Sequence, residues 1–380
     1  MVSLTGLATY DRPACRAALE TVLRPLGGLD FVQPGMTVGV KTNLVAGMKP
    51  DTAATTHPSL LAALTELLLE RGARVIVGDS PGGLFTAPYV KGIYRAAGLR
   101  EVDEAGAELN MNFSQKDAQN PDAWAAKTFT YTAWLDDCDA IIDFCKLKSH
   151  GMMGMSAAAK NMFGVIPGTM KPEYHFKYPE LRTFGRMLVD LDEYFRPALS
   201  IVDGVVAMEG NGPTAGTPRP VGVLLASGSP HEADLVCARI IGIARQEVPT
   251  LEAALERGLI PETVEGLEIV GDPDAFTVPD FEKLVTKNDL LFRSVLPGRA
   301  GELMGGALHK LLGSKPAVSA GECVGCAKCR SVCPAHAIEM RAGVPHIDRK
   351  KCIHCFCCQE FCPKGAMKVA RPLVSRLLTH

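Results

Sequence analysis

Short apolar runs alternate with amphipathic segments over residues 36–270, a pattern typical of an α/β domain. Residues 36–41 and 73–78 are apolar, β-rich runs, and residues 59–71 between them place leucines at helical spacing. A strand, a helix and a strand in this order predict a right-handed crossover between parallel strands. Further strands are predicted at residues 140–144, 199–202, 221–226 and 267–270, and a helix at 232–243. The fold class is therefore α/β, with a mostly parallel sheet covered by helices.

The regular pattern weakens from about residue 279, and the chain beyond about residue 285 is organised differently. Residues 286–318 are rich in Gly, Ser, Pro and isolated leucines, which predicts a linker. Residues 319–372 contain an internal repeat, in which each half is a cysteine-rich run followed by a small-residue turn and an apolar strand. We therefore predict an α/β domain over residues 1–285, the linker, and a small α+β domain over residues 319–372.

Charge and hydropathy exclude some classes of partner. The 380 residues include 40 Lys and Arg against 42 Asp and Glu, without the basic stripe that nucleic-acid binding requires. No run reaches the roughly 18 uncharged apolar residues of a membrane span, and residues 1–12 lack a signal-peptide pattern. We therefore expect no nucleic-acid partner, no membrane insertion and a cytoplasmic location.

The 13 cysteines are unevenly distributed. Four are scattered over the first three-quarters of the chain, and nine lie within residues 323–362. Clustered cysteines in a reducing compartment indicate metal binding rather than disulfides.

Each half of the repeat fits C-x2-C-x2-C-x3-C-P, the run that builds [4Fe-4S] clusters in bacterial ferredoxins. In such runs the fourth cysteine binds the other cluster, so we predict one cluster on Cys323, Cys326, Cys329 and Cys362, and another on Cys333, Cys352, Cys355 and Cys358. The alternative is a pair of structural zinc sites, but zinc ribbons offer two ligands per knuckle. Cys357 falls outside the spacing and is expected to be a packed thiol. Residues 319–372 thus resemble a ferredoxin-type domain with two [4Fe-4S] clusters.

Polar side chains cluster where the predicted strands end, which is where open α/β sheets bind ligands. The residues concerned are Lys41, Asn43, Asp79, Ser80, Lys146, Lys148, His150, Lys160, Asn161, Asp203, Glu209 and Asp234. Converging lysines would bind a small anion such as a carboxylate or phosphate. The acidic members could orient the lysines, bind a hard cation or move protons. For any single member, a solvated surface position is the competing interpretation.

We assign Lys148, His150 and Lys160 as candidate catalytic residues, with His150 or Lys148 supplying protons. The other nine residues of the set are assigned to substrate binding. Residues 210–216 have the wrong spacing for a dinucleotide fingerprint, and the P-loop motif is absent from the sequence. NAD and ATP sites are therefore disfavoured, whereas a flavin held by backbone contacts remains open.

Several of these segments together resemble the family called domain of unknown function 362, over about residues 36–260. They are residues 41–43, 78–82, 146–150, 160–164, 203–204 and 209–213, with Asp234. Ser149 stands where the family usually has Thr, which keeps a hydroxyl group. Residues 323–363 resemble the two-cluster ferredoxin module that many such proteins carry at one end. The resemblance implies an iron-sulfur redox protein of anaerobic or facultative prokaryotes, without specifying a substrate.

The leading hypothesis is an oxidoreductase whose two clusters exchange electrons with a redox partner protein and relay them to an anionic small molecule or cofactor at the strand ends. The alternative is a non-enzymatic electron carrier or assembly protein, in which the α/β domain docks a partner. A nucleic-acid enzyme is disfavoured by the slightly acidic charge balance. A concave pocket beside one cluster would favour the enzyme, and a flat charged face would favour the docking protein.

Overall fold

The computed structural model describes residues 1–284 and 314–370. The strands in these ranges are β1 (Val2–Gly6), β2 (Thr37–Lys41), β3 (Arg74–Gly78), β4 (Glu108–Leu109), β5 (Gln115–Gln119), β6 (Thr128–Thr132), β7 (Ala140–His150), β8 (Gly154–Ser156), β9 (Leu199–Glu209), β10 (Thr217–Ser227), β11 (Ile269–Val270), β12 (Lys315–Val318), β13 (Ile338–Arg341), β14 (Val344–Ile347) and β15 (Met367–Ala370). The α-helices are α1 (Arg12–Leu23), α2 (Pro58–Glu70), α3 (Ala87–Ala96), α4 (Arg100–Glu104), α5 (Ala158–Asn161), α6 (Lys171–Lys177), α7 (Leu181–Phe195), α8 (Pro230–Ile240), α9 (Pro249–Glu256), α10 (Lys328–Ser331) and α11 (Cys357–Glu360). Within the described residues, no helix combines the length and the apolar character needed to cross a membrane.

A large sheet with the order β11-β1-β10-β9-β7-β2-β3-β4 organises the first 284 residues. Strands β4, β3, β2, β7 and β9 run parallel to one another, and β2 joins β3 through α2. Strand β10 is antiparallel to both of its neighbours, and β8 is antiparallel to β7. The sequence-based prediction of a mostly parallel sheet is confirmed, and the antiparallel members are additions to it.

The sheet has a separate hydrophobic cluster on each face. Ile201 and Leu224 belong to a cluster that includes the leucines of α2, whereas the adjacent Val202 and Leu225 belong to a cluster with α8 and α9. Since successive side chains of a strand point to opposite faces, the two clusters lie on opposite sides of the sheet. Helices therefore cover both faces, and the strand ends are left free to carry polar groups.

Two strands are longer than the sequence pattern predicts. The pattern ends the third strand at residue 144 and the fourth at residue 202, but β7 continues to His150 and β9 to Glu209. Lys146 of β7 lies opposite Asp203 of β9, and Lys148 is also paired with Ser156 of β8. The sequence pattern places residues 145–151 in a loop after the third strand. This prediction is wrong, because residues 145–150 continue β7 and their polar side chains are buried in the ladder.

Residues 314–370 form a small module of two strand pairs, β12 with β15 and β13 with β14, together with α10 and α11. Equivalent positions in its two cysteine runs share a left-handed backbone, at Ala327 (φ 59°) and Phe356 (φ 58°), just before α10 and α11. The sequence repeat is therefore also a structural repeat. Residues 286–313 of the predicted linker lie outside the described residues, while its last residues form β12, and the domain division stays a prediction.

Candidate functional site

A cavity of about 470 Å³ lies between the strand ends of the large sheet and the C-terminal module. Its polar lining from the first 284 residues includes Asn43, Asp79, Lys148, Lys160, Asn161 and Lys171. The module contributes Cys326, Lys328, Glu360, Phe361 and Cys362. The sheet and the module therefore build one site together, and five residues of the sequence-predicted set line it.

A buried ion pair forms the floor of the cavity at the ends of β2 and β3. Lys41 Nζ lies 2.8 Å from Asp79 Oδ1, and both side chains are almost fully buried. Lys41 Nζ also donates to Asn161 Oδ1 at 3.4 Å, and Asp79 Oδ2 accepts a hydrogen bond from Leu44 N at 2.8 Å. Gly164 packs so closely over this pair that a side chain there would overlap both charged groups. The charges of Lys41 and Asp79 thus compensate each other.

Lys148 lines the cavity without a carboxylate partner. Its Nζ donates to Asn43 Oδ1 at 2.5 Å and to Ala54 O at 2.8 Å, and its side chain is 1% exposed. Burial, with a further contribution from the nearby Lys160 ammonium, lowers the pKa of Lys148 to about 7. This lysine can therefore hold or release a proton near neutral pH.

Two further lysines flank the ring of Phe163. Lys160 Nζ lies 5.6 Å and Lys171 Nζ 5.8 Å from the ring centroid, within the range of cation–π contacts. Lys171 Nζ also donates to the backbone carbonyl of Ser80, and burial lowers the pKa of Lys171 to about 8. Sequence reasoning missed Lys171, because it begins α6 and does not follow a strand.

His150 is not among the described residues that line the cavity. Its Nδ1 accepts hydrogen bonds from Met152 N and Met153 N, both at 3.1 Å, so Nε2 carries the proton and donates to Glu360 Oε1 at 2.8 Å. Burial first, and then the Lys160 charge, lower the pKa of His150 to about 4. The imidazole is thus a neutral link between the sheet and the module, and its predicted role as a proton donor is not favoured.

Lys146 and Asp203 also lie outside the described lining, although both were predicted to bind substrate. They form a buried ion pair of 2.8 Å, and Tyr10 OH both accepts from Lys146 and donates to Asp203 Oδ1. Asp203 Oδ2 further accepts from His57 N at 3.1 Å. Burial lowers the pKa of Lys146 and raises that of Tyr10. This network joins β7, β9 and the start of α2, and it pairs both side chains with each other.

The remaining predicted substrate-binding residues hold backbone segments in place. Asp234 accepts hydrogen bonds from the first two N–H groups of α5, at 2.7 and 3.3 Å, and burial raises its pKa to about 7. Glu209 lies 3.6 Å from Arg219, and its other oxygen accepts from a backbone N–H at 3.0 Å. Ser80 Oγ accepts from Gly168 N at 2.8 Å. Each side chain is already committed to a partner away from the cavity.

The cysteines of the module fall into two groups. One small cavity of about 20 Å³ is bordered by Cys323, Cys326, Cys329 and Cys362, and another of about 20 Å³ by Cys333, Cys352, Cys355 and Cys358. Four cysteines around one enclosed volume are the donor set that a [4Fe-4S] cluster needs, with the membership that the crossover predicts. Cys357 is fully buried and borders the second cavity.

The cysteine pattern also bears on the alternative of structural zinc sites. Zinc ribbons offer two ligands per knuckle, whereas each half of this repeat offers three closely spaced cysteines and a fourth followed by Pro. This pattern favours two [4Fe-4S] clusters over two zinc ions.

Two family models match separate parts of the chain. Residues 38–239 match the family model described as Domain of unknown function (DUF362), and residues 315–363 match that of a 4Fe-4S dicluster domain. The chain is similar to the thylakoid-associated protein sll1697 of Synechocystis sp., with 35% identity over 267 residues, which is 70% of this chain and 81% of that protein.

Two solved structures are also similar, at low identity. The lactate racemase apoprotein from Thermoanaerobacterium thermosaccharolyticum is 12% identical with a TM-score of 0.41, over 64% of this chain and 57% of that one. A protein from Thermotoga maritima is 13% identical with a TM-score of 0.37, over 57% of this chain and 55% of that one. The chain thus spans little more than half the length of either structure.

Proposed function

The chain belongs to the family described as Domain of unknown function (DUF362), and from that premise we propose that it is an iron-sulfur oxidoreductase acting on an anionic small molecule. The dicluster domain match indicates iron-sulfur electron transfer in the C-terminal part of the chain. The proposal adds that the electrons are exchanged with a ligand bound in the 470 Å³ cavity.

A single observation carries this proposal. The cavity is lined on one side by Lys148, Lys160 and Lys171 and on the other by Cys326 and Cys362, which belong to one predicted set of cluster ligands. A ligand held by the lysines would thus lie directly beside that cluster. The concave shape supports an enzyme, whereas the alternative of a docking protein requires a flat charged face.

When bound, the clusters supply or accept electrons one at a time. The lysines fix the anionic group of the ligand and exclude water from it. Lys148 is the candidate proton donor, because its pKa of about 7 lets it deliver a proton as the ligand is reduced and regain one from solvent. In the oxidative direction it would accept the proton instead. His150 is proposed to position Glu360 rather than to exchange protons with the ligand.

Other parts of the sequence-based hypothesis remain proposals. We propose a redox partner protein that exchanges electrons with the module, and a reducing, oxygen-poor cytoplasm as the place of action.

The test begins with anaerobic purification of the full chain, with iron and sulfide counts, EPR of the reduced state and mass spectrometry of any released small molecule. We expect two [4Fe-4S] clusters and an anionic compound that reoxidises the dithionite-reduced clusters. The double variant Lys148→Met/Lys160→Met should keep its clusters but carry no compound and show no reoxidation by it. The exposed pair Lys91→Met/Lys127→Met serves as the matched control.

Two outcomes would overturn the proposal. Zinc without acid-labile sulfide would remove the clusters on which it depends. Unchanged reoxidation in Lys148→Met/Lys160→Met, at normal cluster content, would show that the cavity does not hold the electron acceptor and would favour the docking protein.

A further inference from the structure

The charges that line the cavity do not balance. Among its described lining residues, Asp79 and Glu360 carry carboxylates, and Asp79 is neutralised by Lys41 at 2.8 Å. Glu360 alone therefore faces the ammonium groups of Lys148, Lys160 and Lys171. If all three are protonated, the cavity carries an excess of two positive charges.

The contacts of each lysine show how little of this charge is compensated. Lys160 Nζ lies 3.9 Å from Glu360 Oε1, which also accepts the shorter bond from His150. The contacts of Lys148 Nζ are amide and backbone carbonyl oxygens, and that of Lys171 is the carbonyl of Ser80. Buried cations without a counter-charge are costly, so such a site favours bound anions.

Lys328 also lines the cavity, but its positive charge offsets the negative charge of the predicted cluster and not that of a ligand. It lies in the module between Cys326 and Cys329, which are in the same predicted ligand set. A cluster held by thiolates is itself anionic, and the ammonium beside it offsets part of that charge. When Lys148, Lys160 and Lys171 are all protonated, the excess of two charges over Glu360 therefore remains for a ligand.

Much of the remaining wall is apolar, alongside Ser156 and Thr214. Side chains that border the same cavity include Val45, Met48, Tyr89, Phe163 and Phe361. A volume of about 470 Å³ lies within the usual range of small-molecule sites, roughly 300–1,000 Å³. The aromatic members of this wall suit an apolar ring, with the charged end of the ligand directed at the lysines.

We propose that the cavity binds a doubly negative ligand with an apolar ring, in which two carboxylates or one phosphate monoester meet Lys148 and Lys171. This inference rests on the proposed function, because it names the class of the substrate for the same site. It concerns binding alone, so it is testable without electron transfer.

The experiment is isothermal titration calorimetry of the cluster-loaded chain at neutral pH, with phthalate, phenyl phosphate and benzoate as probes. The three share one ring, and benzoate carries only one negative charge. We expect one of the dianions to bind at least about tenfold more tightly than benzoate. The comparison of phthalate with phenyl phosphate distinguishes the dicarboxylate from the phosphate ester.

The variant Lys148→Met/Lys171→Met should lose at least about tenfold in affinity for the preferred dianion and should bind dianion and benzoate alike. Lys91→Met/Lys127→Met should retain the preference. Three results would overturn the proposal. Neither dianion binds, benzoate binds as tightly as the preferred dianion, or the preference for the dianion persists in Lys148→Met/Lys171→Met. If the unmodified chain prefers the dianion, but the compound released from the purified chain does not reoxidise the reduced clusters, the proposed function is refuted and the dianion site is not.

Discussion

Burial gives Lys148 a protonation equilibrium near neutral pH, which an exposed lysine does not have. The sequence predicts that Lys148 belongs to the site, because polar residues recur where strands end. It does not predict which members of that set face the cavity. Lys146 is only two positions away on the same strand, yet it lies 2.8 Å from Asp203 in a separate network. Regular strand alternation would leave both on one face, but the pairing of β7 with β9 is irregular between these two positions, and each lysine has different partners.

The pKa values of Lys148 and Lys171 predict how ligand affinity depends on pH. Both lysines must be charged to hold a dianion, so affinity for the preferred dianion should be highest below about pH 7 and fall as pH rises through about 7 and then about 8. Each group contributes a loss of up to about tenfold per pH unit above its pKa. Calorimetry at a series of pH values measures the slope.

The control for this pH dependence is Lys148→Met, which should bind more weakly and lack the part of the slope that begins near pH 7. Affinity that stays constant from about pH 6 to about pH 9 in the unmodified chain would contradict the prediction.

The close packing of Gly164 on Lys41 and Asp79 predicts that this ion pair contributes to the free energy of unfolding. In Gly164→Ala the new methyl group would overlap Lys41 Nζ and Asp79 Oδ1, so we expect a loss of about 1–3 kcal/mol in the free energy of unfolding. Gly92→Ala is the matched control, since Gly92 is exposed in α3 and a methyl group there meets open space. It should stabilise the chain by about 0.5–1 kcal/mol. Denaturant unfolding measures both, and equal effects of the two substitutions would contradict the account.

At the scale of elements, β7 and β9 are strands whose full length the sequence pattern does not predict. Apolar periodicity predicts the first half of each strand, where Ile142 and Ile201 pack in the core. It fails in the second half, because Lys146 and Asp203 are polar residues that satisfy each other inside the sheet. The crossover through α2 and the repeated cysteine runs were predictable, since local patterns specify both.

The short helix α11 attaches the module to the sheet. Gln359 Nε2 donates to the carbonyls of Asn211 and Gly212 at 2.9 and 3.1 Å, and Asn211 Oδ1 accepts from Val369 N at 3.2 Å. In Gln359→Leu these carbonyls lose their partner, at a cost of about 1–3 kcal/mol each where they stay buried. We expect faster hydrogen exchange in residues 209–213 and 357–362, with the exchange of β2 and β3 unchanged.

The exposed Gln115 offers a matched substitution, because Gln115→Leu should leave both segments at their original exchange rates. Unchanged exchange in Gln359→Leu would mean that these hydrogen bonds do not hold the module in place.

At the scale of the whole molecule, sequence patterns do not predict that the module closes the cavity. The sequence predicts an α/β domain with polar residues at its strand ends and a separate domain with two sets of cluster ligands. The contact between them depends on pairs such as His150 with Glu360 and Gly82 with Phe361, which are far apart along the chain. Neither partner has a local pattern that indicates the other. The arrangement nevertheless decides the chemistry, because it brings Cys362 and Lys148 to one cavity.

The charge of the molecule is also divided between its parts. The whole chain has a formal net charge of −2, but residues 314–370 contain nine Lys and Arg against four Asp and Glu. Arg349, Lys350 and Lys351 form an exposed basic run directly before Cys352, a predicted ligand of the second cluster. Cys326 and Cys362 of the other predicted cluster border the cavity, so we propose that a redox partner protein meets the module at this basic run instead.

This division predicts that reduction by an acidic donor protein depends on ionic strength. With a reduced acidic flavodoxin as the probe, the rate of cluster reduction should fall steeply with added salt, because opposite charges steer the encounter. Lys350→Glu/Lys351→Glu should slow the reaction by about tenfold at low ionic strength and match the unmodified chain at high salt. Lys91→Glu/Lys127→Glu changes the net charge equally and should have little effect, because both residues lie outside the module. Stopped-flow absorbance measures all three rates. An equal loss in both charge-reversed variants would assign the effect to net charge and not to the basic run beside the second cluster.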